Sequence, residues 1–297
     1  MTSRRTFLGA MTAGVGAAAL GGRSAFAAAG TLPPEVKSSL GAPLGLQLYS
    51  LRNDAPKDLP GTLARVRALG IVEVETAGLY DKDVATVRAA LDQAGLRCSG
   101  SHIGYDRWQK DIPGAVKEAK ALGARFATVA WIKGDKAFSR EDALRAAGVF
   151  NEAGKACAAE GVRLCYHCHG YEFVPSPEGT LFDTIVKNTD PKLVSFEIDV
   201  FWAKAGGTDP AKLIASLPGR VPLLHVKDMA KGLTLPPGSS SADNSSNVVV
   251  GTGQIDWPAV FRAAKAAGGE IYYIEDESQA VWEQLPKSLA YLSALKP

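Results

Sequence analysis

The segment from Leu164 to Phe173, LCYHCHGYEF, concentrates residues that can do chemistry. It contains two of the four histidines in the chain, with a glutamate close behind them. The residues at its start have the apolar character of a buried strand, and a glycine then interrupts that pattern. A strand that ends here presents His167, His169 and Glu172 at one rim. Such a rim can bind a metal or move protons, although two surface histidines on a loop give the same pattern.

Similar side chains interrupt three later apolar segments. The segments FEIDVFW, LLHVKD and IYYIEDES contain Asp199, His225 and Glu275. Charged groups in apolar strands are costly unless they are paired or bound to a metal. With His167 they form a mixed nitrogen and oxygen set, which suits one Mn²⁺, Zn²⁺, Co²⁺ or Mg²⁺ ion better than a thiolate site would. The alternative is a structural network of ion pairs.

The elements that must position these residues follow a regular alternation. Apolar segments begin near Leu44, Ile71, Leu96, Arg125, Val162, Leu193, Val221 and Ile271. Helical periodicity fills the intervals between them. Eight strand–helix units predict a parallel sheet, and eight strands close into a (β/α)8 TIM barrel. A doubly wound open sheet is the alternative, but no G-x-G-x-x-G follows the first strand. We therefore predict an α/β fold with one barrel domain over residues 44–297.

Local signals place the helix ends and one long loop. Starts are predicted at Ser139 with Asp142 three residues later, at Ser176 before Pro177, and at Asp209 before Pro210. Glycines that end helical segments are Gly70, Gly95, Gly123 and Gly161. The segment from Lys231 to Gly253 departs from the alternation and is predicted to be a mobile loop above the seventh strand. Within it, Val250 to Gly253 can form a turn or hold a phosphate on backbone amides.

In a barrel, functional side chains lie where strands end, at the C-terminal face. All four histidines fall at such predicted ends, which scattered surface histidines would not do. Among the remaining residues at this face, we predict that Glu75, His102, Lys227 and Trp202 orient a substrate and provide a stacking surface. For Trp202, packing in the core is the alternative.

Three motifs carry a family resemblance. The stretches YHCHGYEF at 166–173, FEIDVFW at 196–202 and LHVKD at 224–228 resemble the sugar phosphate isomerase/epimerase family of xylose isomerase-like TIM barrels. The resemblance extends from Leu44 to the C-terminus. It implies one divalent metal held by Glu, Asp, His and Glu from strands five to eight. Three of these match Asp199, His225 and Glu275, whereas His167 stands nearest the place of the first glutamate.

The resemblance implies an enzyme that removes a proton next to a sugar carbonyl. With the first glutamate absent, His169 and Glu172 are the predicted bases, and Glu275 is the third catalytic residue. Return of the proton gives a metal-dependent sugar isomerase or epimerase. Loss of a β-substituent instead gives a lyase or dehydratase acting on a keto-sugar, keto-glycoside or inosose. In another class, a non-catalytic periplasmic carbohydrate-binding protein would keep the aromatic residues and need no base.

The N-terminus has the pattern of an export signal. A twin arginine, Arg4-Arg5, precedes a short apolar stretch, and Ala25-Phe26-Ala27 matches a small-residue cleavage site. Residues 1–27 therefore resemble a Tat-type signal peptide, and residues 28–43 read as a tether. A basic tail followed by alanines is the alternative. We expect a periplasmic or secreted protein with no stable membrane span after signal removal.

The composition limits the classes of molecule that the protein is expected to bind. The chain has 297 residues and a net charge of +2, with no basic stripe, so we expect no binding to nucleic acid. A small-molecule carbohydrate is the expected partner, and the oligomeric state stays open. The four cysteines allow two disulfides or none. Cys165 and Cys168 have the spacing of a redox motif, but we expect them to be buried apolar residues or neighbours of the site.

Overall fold

The computed structural model describes residues 32–132 and 137–297. The predicted signal peptide, residues 1–27, lies outside the described residues. The described end of the predicted tether runs along the barrel wall. Val36 donates a backbone hydrogen bond to Gly70, and Lys37 forms an antiparallel bridge with Pro43. The chain then enters the first strand.

Eight parallel strands in the described part of the chain close into one barrel. They are β1 (Leu44–Gln47), β2 (Glu73–Ala77), β3 (Arg97–Ile103), β4 (Phe126–Val129), β5 (Arg163–His167), β6 (Val194–Asp199), β7 (Leu223–Val226) and β8 (Ile271–Ile274). Each strand pairs with the next, and β1 pairs with β8, so the ring has no free edge. This confirms the predicted (β/α)8 barrel.

Helices surround the barrel and connect its strands. They are α1 (Leu59–Ala68), α2 (Val84–Ala94), α3 (Tyr105–Lys110), α4 (Ile112–Leu122), α5 (Arg140–Ala159), α6 (Leu181–Lys187), α7 (Val200–Ala205), α8 (Pro210–Ala215), α9 (Trp257–Ala266) and α10 (Val281–Ala294). Among the described residues, no helix combines the length and apolar character that crossing a bilayer requires.

Most helix boundaries follow the predicted signals. Ser139 and Asp142 form a reciprocal capping box at α5, and the side chain of Asp209 caps α8. The predicted start at Ser176 is wrong. A short antiparallel turn joins residues 175–176 to 179–180, and α6 begins after it with Thr180 as its cap. Thr180 forms a capping box with Asp183, and this signal decides the boundary.

The hydrophobic core has two layers, because successive side chains on a barrel strand point alternately outward and inward. Outward-facing strand residues pack against the helices, for example along α10, where Val281, Leu285, Leu289 and Leu292 are buried. Inside the barrel a separate apolar cluster contains Phe126, Cys165, Leu223, Ile271 and Tyr273. This cluster closes the barrel interior below the strand ends. All four cysteines are buried and free, and the burial of Cys165 and Cys168 was predicted.

The long loop between β7 and α9 is held at both ends by Asp228. The Asp228 carboxylate accepts hydrogen bonds from the backbone N–H groups of Gly251 (2.8 Å) and Gly253 (3.1 Å) and from the Trp257 indole (2.9 Å). A Cβ at position 253 would lie 2.2 Å from Asp228 Oδ1, so only glycine allows this approach. Because these amides already bind Asp228, the structure favours the turn over the phosphate cradle.

Candidate metal centre and active site

The four predicted metal ligands meet inside the barrel at its C-terminal face. His167 ends β5, Asp199 ends β6, His225 lies on β7, and Glu275 directly follows β8. Alternation points these side chains inward on adjacent strands. One nitrogen or oxygen from each residue lies within 4.8 Å of the others, and all four residues are buried.

The donor atoms of this set, which we call the upper set, remain available for a cation. Asp199 uses Oδ1 to accept the Trp202 backbone N–H at 2.8 Å, which caps α7, and its Oδ2 has no hydrogen-bond partner among the described residues. The buried Nδ1 of His167 also has none there. His225 Nδ1 lies 2.8 Å from Glu275 Oε2 and 3.8 Å from Asp199 Oδ2. Buried polar atoms normally find partners, so this donor set fits a divalent ion.

The protonation states in the upper set follow from burial and mutual charge. Burial raises the pKa of Asp199 to about 7. Burial also works to raise the pKa of Glu275, but Lys227 and His225 bring it below its usual range. Burial opposes protonation of His225, yet Glu197 and Glu275 raise its pKa well above the ordinary value. A bound cation competes with this histidine proton, so metal affinity rises with pH.

A second layer of polar residues lies directly below, and sequence reasoning missed its central member. Glu197 is completely buried on β6, two residues before Asp199, and therefore faces the barrel interior as well. Its Oε2 lies 2.8 Å from His102 Nε2, 3.2 Å from His225 Nε2 and 3.4 Å from His167 Nδ1. Strand alternation counted back from Asp199 is the signal that could have found it.

Glu75 belongs to this lower layer and does not line the cavity. Its side chain is completely buried and accepts hydrogen bonds from Gln47 Nε2 at 2.7 Å and Thr128 Oγ1 at 3.1 Å. Its Oε2 lies 2.8 Å from His225 Nε2 and 3.1 Å from His102 Nε2. This position corrects the expectation of a substrate contact. The carboxylate orients histidines from below instead.

Glu172 also differs from the expected catalytic position. Its carboxylate accepts the His169 backbone N–H at 3.0 and 3.1 Å and a hydrogen bond from the Tyr166 hydroxyl. The side chain is completely buried and does not line the cavity. Burial raises the pKa of Glu172 to about 8. Its contacts therefore make Glu172 a residue that positions the His169 backbone.

His169 itself faces the cavity above the upper set. Its ring centroid lies 4.7 Å from that of His167 and 5.8 Å from that of Trp202. Its Nδ1 has no hydrogen-bond partner among the described residues. Burial and the Lys227 ammonium lower the pKa of His169 to about 3, so the imidazole is neutral at ordinary pH. A neutral imidazole can accept a proton.

The cavity at this face has a volume of about 540 Å³. Its wall includes the predicted residues His102, Trp202 and Lys227, together with His167, His169 and Glu275. Lys227 is only 2% exposed, forms an ion pair with Glu277 and lies 4.0 Å from Glu275. The volume is in the range of small-molecule sites and is large enough for a sugar.

The cavity wall also includes residues that no sequence signal indicated. Tyr49 and Trp131 are 44% and 46% exposed and line the cavity, as do residues 240–244 of the long loop. Exposed aromatic rings are a common surface for stacking against ligands. They follow strand ends as single residues without a motif, and only the closed barrel brings them to one opening.

Comparison with known proteins agrees with this architecture. A curated inosose dehydratase from Geobacillus kaustophilus (strain HTA426) is 25% identical over 217 residues, covering 63% of this chain and 69% of the relative. A crystal structure of a sugar phosphate isomerase/epimerase from Parabacteroides distasonis ATCC 8503 is 28% identical with a TM-score of 0.66, covering 84% and 93% of the two chains. The structure of the IolI protein with a bound zinc atom shares the fold at 15% identity and a TM-score of 0.62, covering 84% and 94%.

The sequence model of one protein family matches most of the residues that form the barrel. The match extends over residues 63–295, which includes β2 to β8 and every predicted metal ligand. The barrel closure, the side chains at the strand ends and this match lead to one conclusion. The chain belongs to the xylose isomerase-like TIM barrel family.

Proposed function

We propose that this protein is a divalent-metal-dependent enzyme that removes a proton next to a carbonyl of a carbohydrate. The observation that carries the proposal is the upper set of four buried ligands, which lies beside a neutral histidine in one cavity. A non-catalytic carbohydrate-binding protein would not need these buried charged groups, whose burial is energetically unfavourable.

His167, Asp199, His225 and Glu275 are the residues that would hold the metal. When bound, a divalent ion supplies positive charge next to the substrate carbonyl, which stabilises the enediolate formed on proton loss. The buried and unpartnered Asp199 Oδ2 supports this assignment.

His169 is the proposed base. Its ring lines the cavity and is neutral, and its backbone N–H is held by Glu172, so the imidazole can take the substrate proton. The Lys227 ammonium lies at the same wall and is held by Glu277 and Glu275. It can donate a hydrogen bond to the developing oxyanion. Trp202 and His102 complete the wall and orient the hydroxyl groups.

The fate of the proton decides the reaction type. Its return to the neighbouring carbon gives isomerisation, and its return to the opposite face gives epimerisation. The similarity to inosose dehydratases supports a second candidate, in which the same first step is followed by loss of a hydroxyl group as water.

The test is solvent exchange in D₂O against a panel of sugars, keto-sugars and inososes. We expect deuterium at one carbon in recovered substrate or product. His169→Gln should lower the exchange rate by about 10²–10⁴ with little change in ligand affinity, because a base acts in the transition state. Removal of metal by a chelator should abolish exchange, and added metal should restore it.

Two results would contradict the proposal. Turnover without deuterium incorporation would indicate hydride transfer between carbons. Binding of a carbohydrate without turnover of any panel member, by metal-loaded protein, would indicate a binding protein.

A further inference from the structure

We propose that the cavity has an outer subsite for a second sugar ring, so that the substrate is a disaccharide or a larger glycoside. Its reacting ring lies at the upper set, and its second ring stacks on Trp131. Tyr49 and residues 240–244 border the same subsite. The inference rests on the proposed function, because the upper set defines where the reacting ring lies.

The exposed aromatic side chains collect at this cavity. In the part of the chain that the structure describes, the large apolar side chains with high exposure are Leu32, Tyr49 and Trp131. Leu32 is the first described residue, whereas Tyr49 and Trp131 both line the cavity. Apolar side chains scattered singly over a surface need no explanation, but exposed rings at one concave opening indicate a surface that a ligand covers.

A series of rings leads outward from the upper set to Trp131. The ring centroid of His169 lies 4.7 Å from that of His167 and 6.1 Å from that of Trp131. Exposure rises in the same direction, from 3% for His167 to 46% for Trp131. A ligand that extends outward from the upper set along His169 therefore reaches the Trp131 ring.

The backbone on both sides of Trp131 is held in place. The Ala130 N–H donates to the carbonyl oxygen of the last residue of β3 at 3.1 Å, and the Ile132 N–H donates to the Tyr171 hydroxyl at 3.1 Å. The Tyr171 ring in turn stacks on His169, with 5.7 Å between the ring centroids. Because this backbone is already ordered, a ligand that stacks on the indole loses less free energy to the ordering of the protein.

Tyr49 borders the opening from another side of the barrel. It follows β1, which β2 and β3 separate from β4 in the ring of strands. Its backbone N–H donates to Gln47 Oε1 at 2.9 Å, and the Arg52 guanidinium lies 4.8 Å from the centroid of its ring. These contacts hold the Tyr49 ring at the edge of the opening.

The long loop supplies a polar wall for the same subsite. Ser240, Ser241 and Asn244 line the cavity and carry hydroxyl and amide groups. The loop backbone approaches the turn after β5 closely, since a Cβ at Gly170 would lie 2.3 Å from the Ser239 carbonyl oxygen. A sugar ring has an apolar face of C–H groups and an edge of hydroxyl groups. It therefore matches a site with aromatic rings on one side and hydrogen-bonding groups on another.

The charges at the opening disfavour a phosphate as the occupant. Among the described residues that line the cavity, the carboxylates are those of Asp243, Glu275 and Glu277, and the one ammonium group is that of Lys227. This ammonium already pairs with Glu277 and lies 4.0 Å from Glu275. An anionic group would therefore meet negative charge here, whereas a neutral sugar ring would not.

The size of the cavity agrees with a ligand of more than one ring. Its volume is about 540 Å³. Pockets of about 300–1,000 Å³ enclose drug-sized ligands, which are larger than a single sugar ring. A single ring at the upper set would leave the Trp131 end of the cavity to solvent.

Matched sets of ligands test the inference. Each set contains a keto-sugar, its methyl glycoside, its phenyl glycoside, its phosphate ester and a disaccharide in which the same keto-sugar carries a second hexose. Metal-loaded protein is used to measure kcat/KM for deuterium exchange, and calorimetry gives the dissociation constant. We expect the disaccharide to have a higher kcat/KM and a lower dissociation constant than the methyl glycoside.

The variant Trp131→Ala should reduce this preference for the disaccharide about 2- to 10-fold, which is the range of a single aromatic contact. Trp131→Phe keeps a ring and should retain most of the preference. The matched control is Trp282→Ala, which removes a half-buried indole that lies 3.8 Å from the Arg65 guanidinium and does not line the cavity. This control should keep the full preference.

The outcomes separate the outer subsite from the proposed function. Exchange without a preference for the disaccharide, or with a preference that Trp131→Ala retains, overturns the subsite and leaves the proposed function standing. Equal loss of exchange from the methyl glycoside and the disaccharide in Trp131→Ala also overturns the subsite, because Trp131 would then act through His169. Disaccharide binding that depends on Trp131, without exchange in any ligand, supports the subsite and overturns the proposed function.

The remaining outcomes concern the occupant. A stronger preference for the phenyl glycoside or the phosphate ester than for the disaccharide overturns the second sugar ring. Neither binding nor exchange with any set overturns both proposals. Circular dichroism confirms folding, and Tyr49→Ala gives the same comparison should Trp131→Ala fail to fold.

Discussion

The buried carboxyl group of Glu172 makes stability depend on pH in a predictable direction. Burial raises its pKa from the ordinary value of 4.5 to about 8 in the folded protein. Between these values the folded state holds the proton and the unfolded state has lost it. Because the unfolded state binds fewer protons, the free energy of unfolding falls as pH rises through this window, and the full stability is present below the unfolded pKa.

The magnitude follows from the width of the window. One group changes the free energy of unfolding by at most about 1.36 kcal/mol per pH unit, so the ceiling between pH 5 and 8 is roughly 4 kcal/mol. Replacement by glutamine removes the titrating group and keeps an oxygen for the His169 N–H and the Tyr166 hydroxyl. We therefore expect the unfolding free energy of Glu172→Gln to decline less steeply with pH than that of the unmodified protein.

The assay is urea-induced unfolding of chelator-treated protein at pH 5, 6, 7 and 8. The matched control is Glu178→Gln, six residues away, whose pKa is lowered to about 2 by Arg140 and Ser176. That carboxyl is ionised throughout the range, so its removal should shift all four values equally. Parallel curves for Glu172→Gln and the unmodified protein would refute the reasoning, because they would show that Glu172 is ionised in the folded state.

Three further outcomes are expected. Lys227→Met keeps the aliphatic stem but removes the donor, and should lower the deuterium exchange rate about 10²-fold, whereas the exposed Lys204→Met should not. Phe150→Ala removes a fully buried ring that packs 4.7 Å from the Tyr166 ring and should cost about 3–5 kcal/mol in urea unfolding. We also propose export by the Tat route, so Arg4→Lys with Arg5→Lys should keep the protein in the cytoplasm by cell fractionation, and unchanged export would contradict that route.

The fold was predictable because each strand and helix carries its own local signal. Capping residues and terminal glycines mark helix ends, and strand spacing leaves room for a helix after each strand. The local prediction that failed is the helix start at Ser176, which lies in a short antiparallel turn, whereas Thr180 caps α6. Asp199 ends its strand as predicted, and its side chain also caps the helix α7 that begins at the next residue.

The four metal ligands at the strand ends could be predicted from the sequence, whereas the roles of the buried glutamates could not. His167, Asp199, His225 and Glu275 stand out because charged residues interrupt apolar segments, and the structure brings them together. Glu197 stands inside the same segment and shows its role only when the register around the closed barrel is known. Glu75 and Glu172 carry the right chemical groups, but hydrogen bonds from other strands and loops decide where their carboxylates point. Those partners are distant in sequence or carry no motif.

The hydrogen bonds made by the Asp228 carboxylate have a consequence for how new substrate specificities could arise on this barrel. Its bonds to Gly251, Gly253 and Trp257 close the long loop at its base. With the ends fixed, the closure entropy of the loop rises only slowly with its length. Residues 246–248 pair with residues 228–230, and Asn247 also accepts the Glu277 backbone N–H. Residues 231–245 can therefore be lengthened, shortened or exchanged while the metal ligands stay where the strands hold them. Because residues 240–244 line the cavity, such exchanges would alter the wall that faces a substrate. One carboxylate thus separates the part of the chain that is free to diversify from the part that must stay constant for the chemistry.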